Sequence, residues 1–261
     1  MMAKARKLLA PEREQMILQL LGETGKTITE LSLGIGVSEA TVRRDLDSLD
    51  AQGKVTRVHG GAVRAQFPRT EPVFSQKASL HAVEKEDIAR HAAGMVCDHE
   101  TIYLDGGSTV QAMAKHLSGR RSLTIVTNSL TAVFELLDSP HKVIITGGEL
   151  RSISRTLVGP LTARIIGSLH IDKAFMGTIG LTADEGASTT DPNEAFTKET
   201  AMSRADKVVL LADSSKVGVP SFSRSGTLED IDILVTDRGI SKTHRKALEE
   251  KGIEIAIAKP A

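Results

Sequence analysis

The residues best equipped for chemistry in this chain form two sets far apart in sequence. The first is Ser38-Glu39-Ala40-Thr41-Val42-Arg43-Arg44-Asp45-Leu46. A serine ahead of a helix-forming run is an N-cap, and arginines in the first turns of such a helix offer the donor forks that read base edges in a DNA groove. At about 100° per residue, Val42, Leu46 and Leu49 share one face as a buried stripe, while Ala40, Arg44 and Asp47 point away. The helix therefore presents Thr41, Arg43 and Arg44 to a major groove, with Ser38 at its start and small Ala40 permitting close approach. Asp45 and Asp47 repel phosphate and are expected to orient the arginines. Just downstream, residues 54–64 alternate polar and apolar as a half-buried strand does, and place Lys54, Arg57, His59 and Arg64 where they can reach backbone phosphate beside the groove.

The second set is a series of polar, glycine-rich turns, each following a short β-rich run. They are Asp105-Gly106-Gly107-Ser108-Thr109, Thr127-Asn128-Ser129, Gly147-Gly148-Glu149 and Asp213-Ser214-Ser215-Lys216. Paired glycines let the backbone approach a ligand closely, and the amides of Gly107 to Thr109, opening a helix, favour an anion. Lys216 is a candidate counter-charge for phosphate. Glu194 and Lys198 stand four apart on a helix, a spacing that serves either an ordinary surface pair or a ligand contact. The expected ligand contacts are thus Asp105, Gly106, Gly107, Ser108, Thr109, Thr127, Asn128, Gly147, Gly148, Glu149, Glu194, Lys198 and Lys216. Gly106-Gly107 lacks the GxGxxG spacing of a dinucleotide fingerprint, so no such cofactor is expected. His81, His91, His99 and His116 are scattered without metal-ligand spacing. The single cysteine, Cys97, is read as a small packed hydrophobe and excludes an internal disulfide.

These residues need particular elements to position them. Thr27 or Thr29 caps a helix running through Leu33, Gly34 and Gly36 break it, and Val37-Ser38 starts the next, as a helix-turn-helix requires. The alternating stretch that follows is its wing. Residues 65–72, with Pro68 and Pro72 in a polar run, read as a linker. From residue 84 onward helical periodicity (Ile88, Ala92, Met95) alternates with β-rich runs at 101–104, 123–126, 142–146, 173–177, 207–211, 233–236 and 253–257, the pattern of βαβ units around a mostly parallel sheet. The expected fold class is therefore α/β: a small N-terminal winged helix-turn-helix domain (1–65), a linker (66–80) and a larger α/β domain (81–261).

Composition sets the outer bounds. The chain of 261 residues is 40% hydrophobic, enough for a sizeable core, and carries 33 basic and 33 acidic residues, so any nucleic-acid affinity must come from local placement of charge. Residues 1–65 hold ten basic against eight acidic residues, a mild excess that favours two such domains acting together in a dimer. No apolar run approaches the roughly 18 residues of a membrane span. The first ten residues lack a secretory core, and the expected location is the cytoplasm. Aromatic residues make up 3% of the chain and tryptophan is absent, which disfavours base stacking on single strands and points to duplex DNA.

Taken together, the Ser38–Leu46 run, the wing ending Arg57-Val58-His59-Gly60-Gly61-Ala62, and the turns at 105–109, 127–129, 147–148 and 213–216 resemble the DeoR family of bacterial transcription regulators over nearly the whole chain. The resemblance implies a winged helix joined to a sensor domain similar to ribose-phosphate isomerase that binds a phosphorylated sugar. It further implies a repressor of a catabolic operon, with Arg43 and Arg44 on the operator, and the 105–109 turn and Lys216 on the effector. The family's turn often reads Asp-x-Gly-Thr-Thr. Here Ser108 keeps the hydroxyl. A dimer or tetramer, joined through the sensor domains, would hold paired winged helices at half-site spacing. The rival reading is a sugar-phosphate isomerase with an accessory DNA-binding domain, for which Asp105, Glu149 and Glu194 are the candidate bases.

Overall fold

A computed structural model describes residues 9–21, 25–51, 54–58, 60–64 and 71–260. His59 and residues 65–70 lie outside the described residues, as does the side chain of Arg64. The chain divides into two compact units, residues 1–70 and 71–261.

The first unit contains α1 (Ala10–Leu21), β1 (Lys26–Thr27), α2 (Ile28–Ile35), α3 (Glu39–Ala51), β2 (Val55–Val58) and β3 (Gly61–Arg64). Thr27 caps α2 through a reciprocal box with Glu30, and Gly36, at φ 75°, ends it in the left-handed region. Gly34, expected to break this helix, lies within it, so Gly36 alone makes the turn. The strands pair antiparallel in the order β1-β3-β2, giving the wing. Val42, Leu46 and Leu49 are fully buried with Ile17 and Leu21 of α1. Each such aliphatic side chain contributes roughly 1.5–3 kcal/mol relative to exposure, which fixes α3 with its opposite face outward.

The second unit opens with α4 (Phe74–Ser79) and α5 (Ala82–Gly94), followed by β4 (Thr101–Leu104), α6 (Ser108–Ala114), β5 (Thr124–Thr127), α7 (Leu130–Leu136) and β6 (Lys142–Ile145). A hairpin, β7 (Glu149–Arg151) and β8 (Thr156–Val158), leads to α8 (Pro160–Gly167) and β9 (Ile171–Gly177). Then come β10 (Gly180–Thr182), β11 (Gly186–Thr189), α9 (Pro192–Ser203), β12 (Ala205–Leu211), β13 (Ser223–Gly226), β14 (Ile233–Thr236), α10 (Lys242–Glu249) and β15 (Glu254–Ile257). Seven strands form one sheet in the order β15-β14-β12-β9-β4-β5-β6, parallel at every pairing. Successive strand residues face opposite layers: Ile102 and Leu104 join Ile88, Val110 and Met113 on one side, while Tyr103 joins Ile166, Ala201 and Met202 on the other.

The strand order sets where a ligand can sit. From β4 the chain moves outward through β5 and β6, then returns to the other side of β4 and continues through β9, β12, β14 and β15. Connections leave β4 and β9 in opposite directions, which opens a crevice at their carboxyl ends.

Two further expectations need correction. Residues 71–80, read as linker from the prolines, belong to the second unit: Phe74 is buried and its amide donates to Ile153 O at 3.1 Å, while Glu71 is held by ion pairs. Cys97 is exposed rather than packed, because it falls in the turn after α5.

Candidate functional site

The crevice between β4 and β9 is built on close backbone contact. A Cβ on Gly106 would lie 2.1 Å from Thr156 Cγ2, and one on Gly177 would lie 2.7 Å from Gly106 O, so neither position admits a side chain without movement. Gly177 N donates to Asp105 Oδ2 at 2.9 Å, tying the ends of the two strands together. The resulting cavity is lined by Gly106 to Val110, Gly177, Thr178 and Ser154, with polar side chains converging from four further segments.

Those side chains are mostly cationic: Lys77 from α4, Lys85 from α5, Lys198 from α9 and Lys216 after β12, against Glu194 and Asp213. Lys85 is only 5% exposed, and its ammonium donates to Lys77 O. Burial pushes its pKa down to about 8; Asp213 opposes this, while Lys216 and Lys77 add to it. Among the described residues neither Lys85 nor Lys216 has an ion-pair partner. Lys198 is different. Its buried ammonium donates to the Asp105 carboxylate and to Gly177 O at 3.0 Å, with Glu194 at 3.7 Å. Burial works against its charge, but Asp105 and Glu194 outweigh that and hold its pKa above the ordinary value.

A chain of alternating charges runs from this cavity to the start of the unit. Glu194 is 3.1 Å from Arg151, which also reaches Asp191 at 3.5 Å and Glu71 at 2.6 Å; Glu71 in turn meets Lys77 at 2.6 Å. Burial pushes the Glu71 carboxyl up, yet Lys77, Arg151 and Thr190 together hold it down at about 2. Burial, with Glu71 and Asp105 nearby, raises Glu194 against Lys198 and Arg151.

The expected ligand residues divide cleanly. Gly106, Gly107, Ser108, Thr109, Glu194, Lys198 and Lys216 line the cavity, and Asp105 lies directly behind Lys198. Thr127, Asn128, Gly147, Gly148 and Glu149 do not line it, because they end β5 or follow β5 and β6 on the side of β4 away from β9. They have structural partners: Thr127 Oγ1 donates to Leu104 O at 2.6 Å, Asn128 Nδ2 donates to Leu157 O at 3.0 Å, and Gly148 leaves space for Thr162. Glu149 is exposed on β7. Of the three carboxylates considered as bases, Asp105 and Glu194 meet at Lys198 and Glu149 stands apart. The sequence reading missed Lys77, Lys85, Ser154, Arg151 and Thr178. A signal for Lys85 existed, since it occupies the apolar stripe of α5 with Ile88, Ala89 and Ala92. Among the described residues, His170, Asp172 and Asp206 place ligand atoms within 4.8 Å of one another; His170 Nε2 lies 3.2 Å from Asp206 Oδ2, and Asp172 accepts from Thr101 N at 2.6 Å.

On the first unit, α3 presents Ala40, Arg43, Arg44 and Asp47 outward, with Thr41 half-buried. Ser38 accepts from Thr41 N at 3.3 Å, as an N-cap does, and its hydroxyl meets that of Thr41 at 2.9 Å. The two aspartates do not orient Arg43 and Arg44. Asp45 is buried and takes both arms of Arg13 at 2.7 Å, bracing α1 on α3, and Asp47 takes Arg57 of the wing at 2.6 Å. Arg43 pairs with Glu39 at 2.9 Å, and Arg44 has no ion pair among the described residues. Lys54 is exposed at the start of the wing.

A helix-turn-helix with an attached wing, carried on the same chain as an α/β unit with a cationic crevice, defines the class of DNA-binding transcription regulators that carry a sensor domain. Residues 13–66 match the DeoR-like helix-turn-helix domain and residues 80–238 the DeoR C terminal sensor domain, and the chain belongs to the DeoR family. It is 39% identical over 249 residues to the HTH-type transcriptional regulator GolR of Listeria innocua, covering 95% of this chain and 98% of that protein. It is 35% identical over 232 residues to the lactose phosphotransferase system repressor of Streptococcus mutans, covering 87% and 91%. Both relatives are named as transcription regulators, the second as a repressor. Ribose 5-phosphate isomerase A of Methanocaldococcus jannaschii aligns with 51% of this chain and 52% of its own at 18% identity and a TM-score of 0.37, too partial a likeness to carry an argument.

Proposed function

We propose that this chain is a cytoplasmic repressor of a carbohydrate catabolic operon whose hold on operator DNA is set by a phosphorylated sugar bound at the carboxyl ends of β4 and β9. One observation carries this reading: Lys85 and Lys216 face one cavity with no carboxylate ion-paired to either among the described residues, beside the backbone turn 106–109. Partly buried cations without matched anions favour an anionic ligand, and a phosphate dianion supplies the missing charge. The sugar hydroxyls would face Glu194, Ser154 and Thr178, which offer both donors and acceptors.

On DNA, Thr41, Arg43 and Arg44 enter the major groove, while Lys54, Arg57 and His59 contact phosphate. Arg43 must leave Glu39 to reach a base, an exposed pair worth only about 0.3–0.5 kcal/mol. Two or four chains, joined through the sensor units, set the half-site spacing. The relative from Streptococcus mutans, tied by its name to a lactose phosphotransferase system, supports the carbohydrate connection.

A thermal-shift panel of pentose and hexose phosphates against their unphosphorylated parents tests the effector. Because a ligand that binds only the folded state raises its melting temperature, one phosphorylated compound should do so and its parent should not. Equal shifts from both would remove the phosphate from the reading.

A further inference from the structure

One wall of the cavity comes from the part of the sensor unit nearest, in sequence, to the winged helix. Lys77 lines the cavity and lies on α4, only six residues after Glu71, where the second unit begins. Its backbone is tied to the same site, for Lys77 O accepts from the Lys85 ammonium and from Ser108 Oγ at 3.4 Å. Its ammonium, however, is directed to Glu71, at 2.6 Å from Oε1.

The two oxygens of Glu71 are held unequally. Oε2 accepts from Arg151 at 2.6 Å and from the Thr190 hydroxyl at 2.5 Å, both anchored in the body of the unit. Oε1 has Lys77 as its partner. Arg151 is already shared with Asp191 and Glu194, whereas Lys77, a single point charge on a four-carbon stem, lines the cavity and pairs with Glu71. Lys77 therefore has two claimants: a carboxylate that is always present and any anion that enters the cavity.

We propose that Glu71 is a positioning residue that competes with the effector anion for Lys77, so that filling the cavity loosens residues 71–79 and passes occupancy to the chain leading to the winged helix. This deepens, and rests on, the phosphorylated-sugar reading of the cavity. Coupling of this kind is reciprocal. An anion that weakens the Glu71–Lys77 contact must itself be opposed by that contact, and removing the Glu71 charge must strengthen anion binding. A purely structural Glu71 predicts the opposite, since its loss would disturb the cavity wall and weaken binding.

The experiment uses the full chain, inorganic phosphate as the probe, calorimetry for affinity and hydrogen exchange for the α4 segment. In the wild type, phosphate should speed exchange of the amides of Lys77 and Leu80, which bond Val73 O and Gln76 O, and of Phe74, which bonds Ile153 O. Glu71→Gln should bind phosphate at least about 5-fold more tightly, and its 74–80 amides should exchange rapidly whether or not phosphate is present. Glu71→Asp, shorter by one methylene but still charged, should fall between, and carries the test if the glutamine variant does not fold. Unchanged or weaker phosphate binding in these variants, or unchanged exchange at 74–80 in a wild type that does bind, overturns the proposal. If neither wild type nor variant binds phosphate, the anionic reading of the cavity fails first and the competition with it.

Discussion

Replacing Lys85 with methionine, which keeps most of its length without its charge, should stabilise the second unit while disabling its response to a phosphorylated ligand. Burial lowers the pKa of this lysine from 10.5 to about 8. At roughly 1.4 kcal/mol per unit, keeping Lys85 charged at pH 7 destabilises the fold by about 3 kcal/mol. The sign follows from the depressed folded value: the penalty is full below pH 8 and fades as pH rises toward 10.5, where the unfolded chain also loses its proton. Methionine removes it but takes a donor from Lys77 O, which retains Ser108 Oγ at 3.4 Å. That loss costs roughly 1–3 kcal/mol, so the expected net gain at pH 7 is up to about 2 kcal/mol. Binding should move the other way: a charge-assisted hydrogen bond worth about 1.5–3 kcal/mol is lost, weakening affinity roughly 10- to 150-fold. Urea unfolding at pH 7 and again near the upper limit would show the advantage of methionine shrinking, and calorimetry with the best sugar phosphate would report affinity. A variant clearly less stable than the wild type at pH 7, or one that binds the phosphorylated sugar undiminished, refutes the reasoning.

Three further outcomes are expected. Arg44→Ala should cost about 1–3 kcal/mol against the operator and little against a scrambled duplex, measured by fluorescence anisotropy; equal losses would place Arg44 on phosphate instead. Gly106→Ala pushes a methyl to within 2.1 Å of Thr156 Cγ2 and should destabilise the second unit by about 1–3 kcal/mol in urea, with ligand binding lost; a neutral result would mean the turn yields freely. Glu71, held at about 2 instead of 4.5, contributes stability that is present above pH 4.5 and lost as pH falls toward 2, by about 3 kcal/mol in all. Glu71→Gln should flatten the acid limb of stability against pH, and an unaltered limb would show that the carboxylate is not held by its neighbours.

Much of this architecture is legible in the sequence because the signals are local. The seven β-rich runs became the seven parallel strands, and Val42, Leu46 and Leu49 lie inward as helical spacing requires. The short strands β10, β11 and β13, which form a separate three-stranded sheet, escaped because Gly180-Leu181-Thr182, Gly186 to Thr189 and Ser223 to Gly226 carry glycine and serine where alternating β-branched residues would mark a strand. For the cavity, the Asp105 to Thr109 turn and Lys216 were readable as ligand chemistry, but strand order is not a local property. Without it the turns after β5 and β6 look equivalent to the turn after β4, although only the last borders the crevice with β9. Gly177 and Thr178, at the end of β9, were overlooked for the same reason. Arg151, on a three-residue strand, has no sequence neighbour to announce that it joins Glu71 to Glu194, partners 80 and 43 positions away. Lys85 is the exception, a charge placed on the buried stripe of α5.

The proposed regulation rests on one coupling, between duplex DNA on the winged helix and a phosphorylated sugar in the crevice of the sensor unit. Its most direct measurement is the affinity of the full chain for an operator duplex, selected by the protein itself from a random pool, in the presence of each sugar phosphate and of its unphosphorylated parent at fixed salt. One phosphorylated sugar should change that affinity by roughly 5- to 150-fold while its parent leaves it unaltered. A sugar phosphate that binds the protein yet leaves operator affinity untouched would contradict the account.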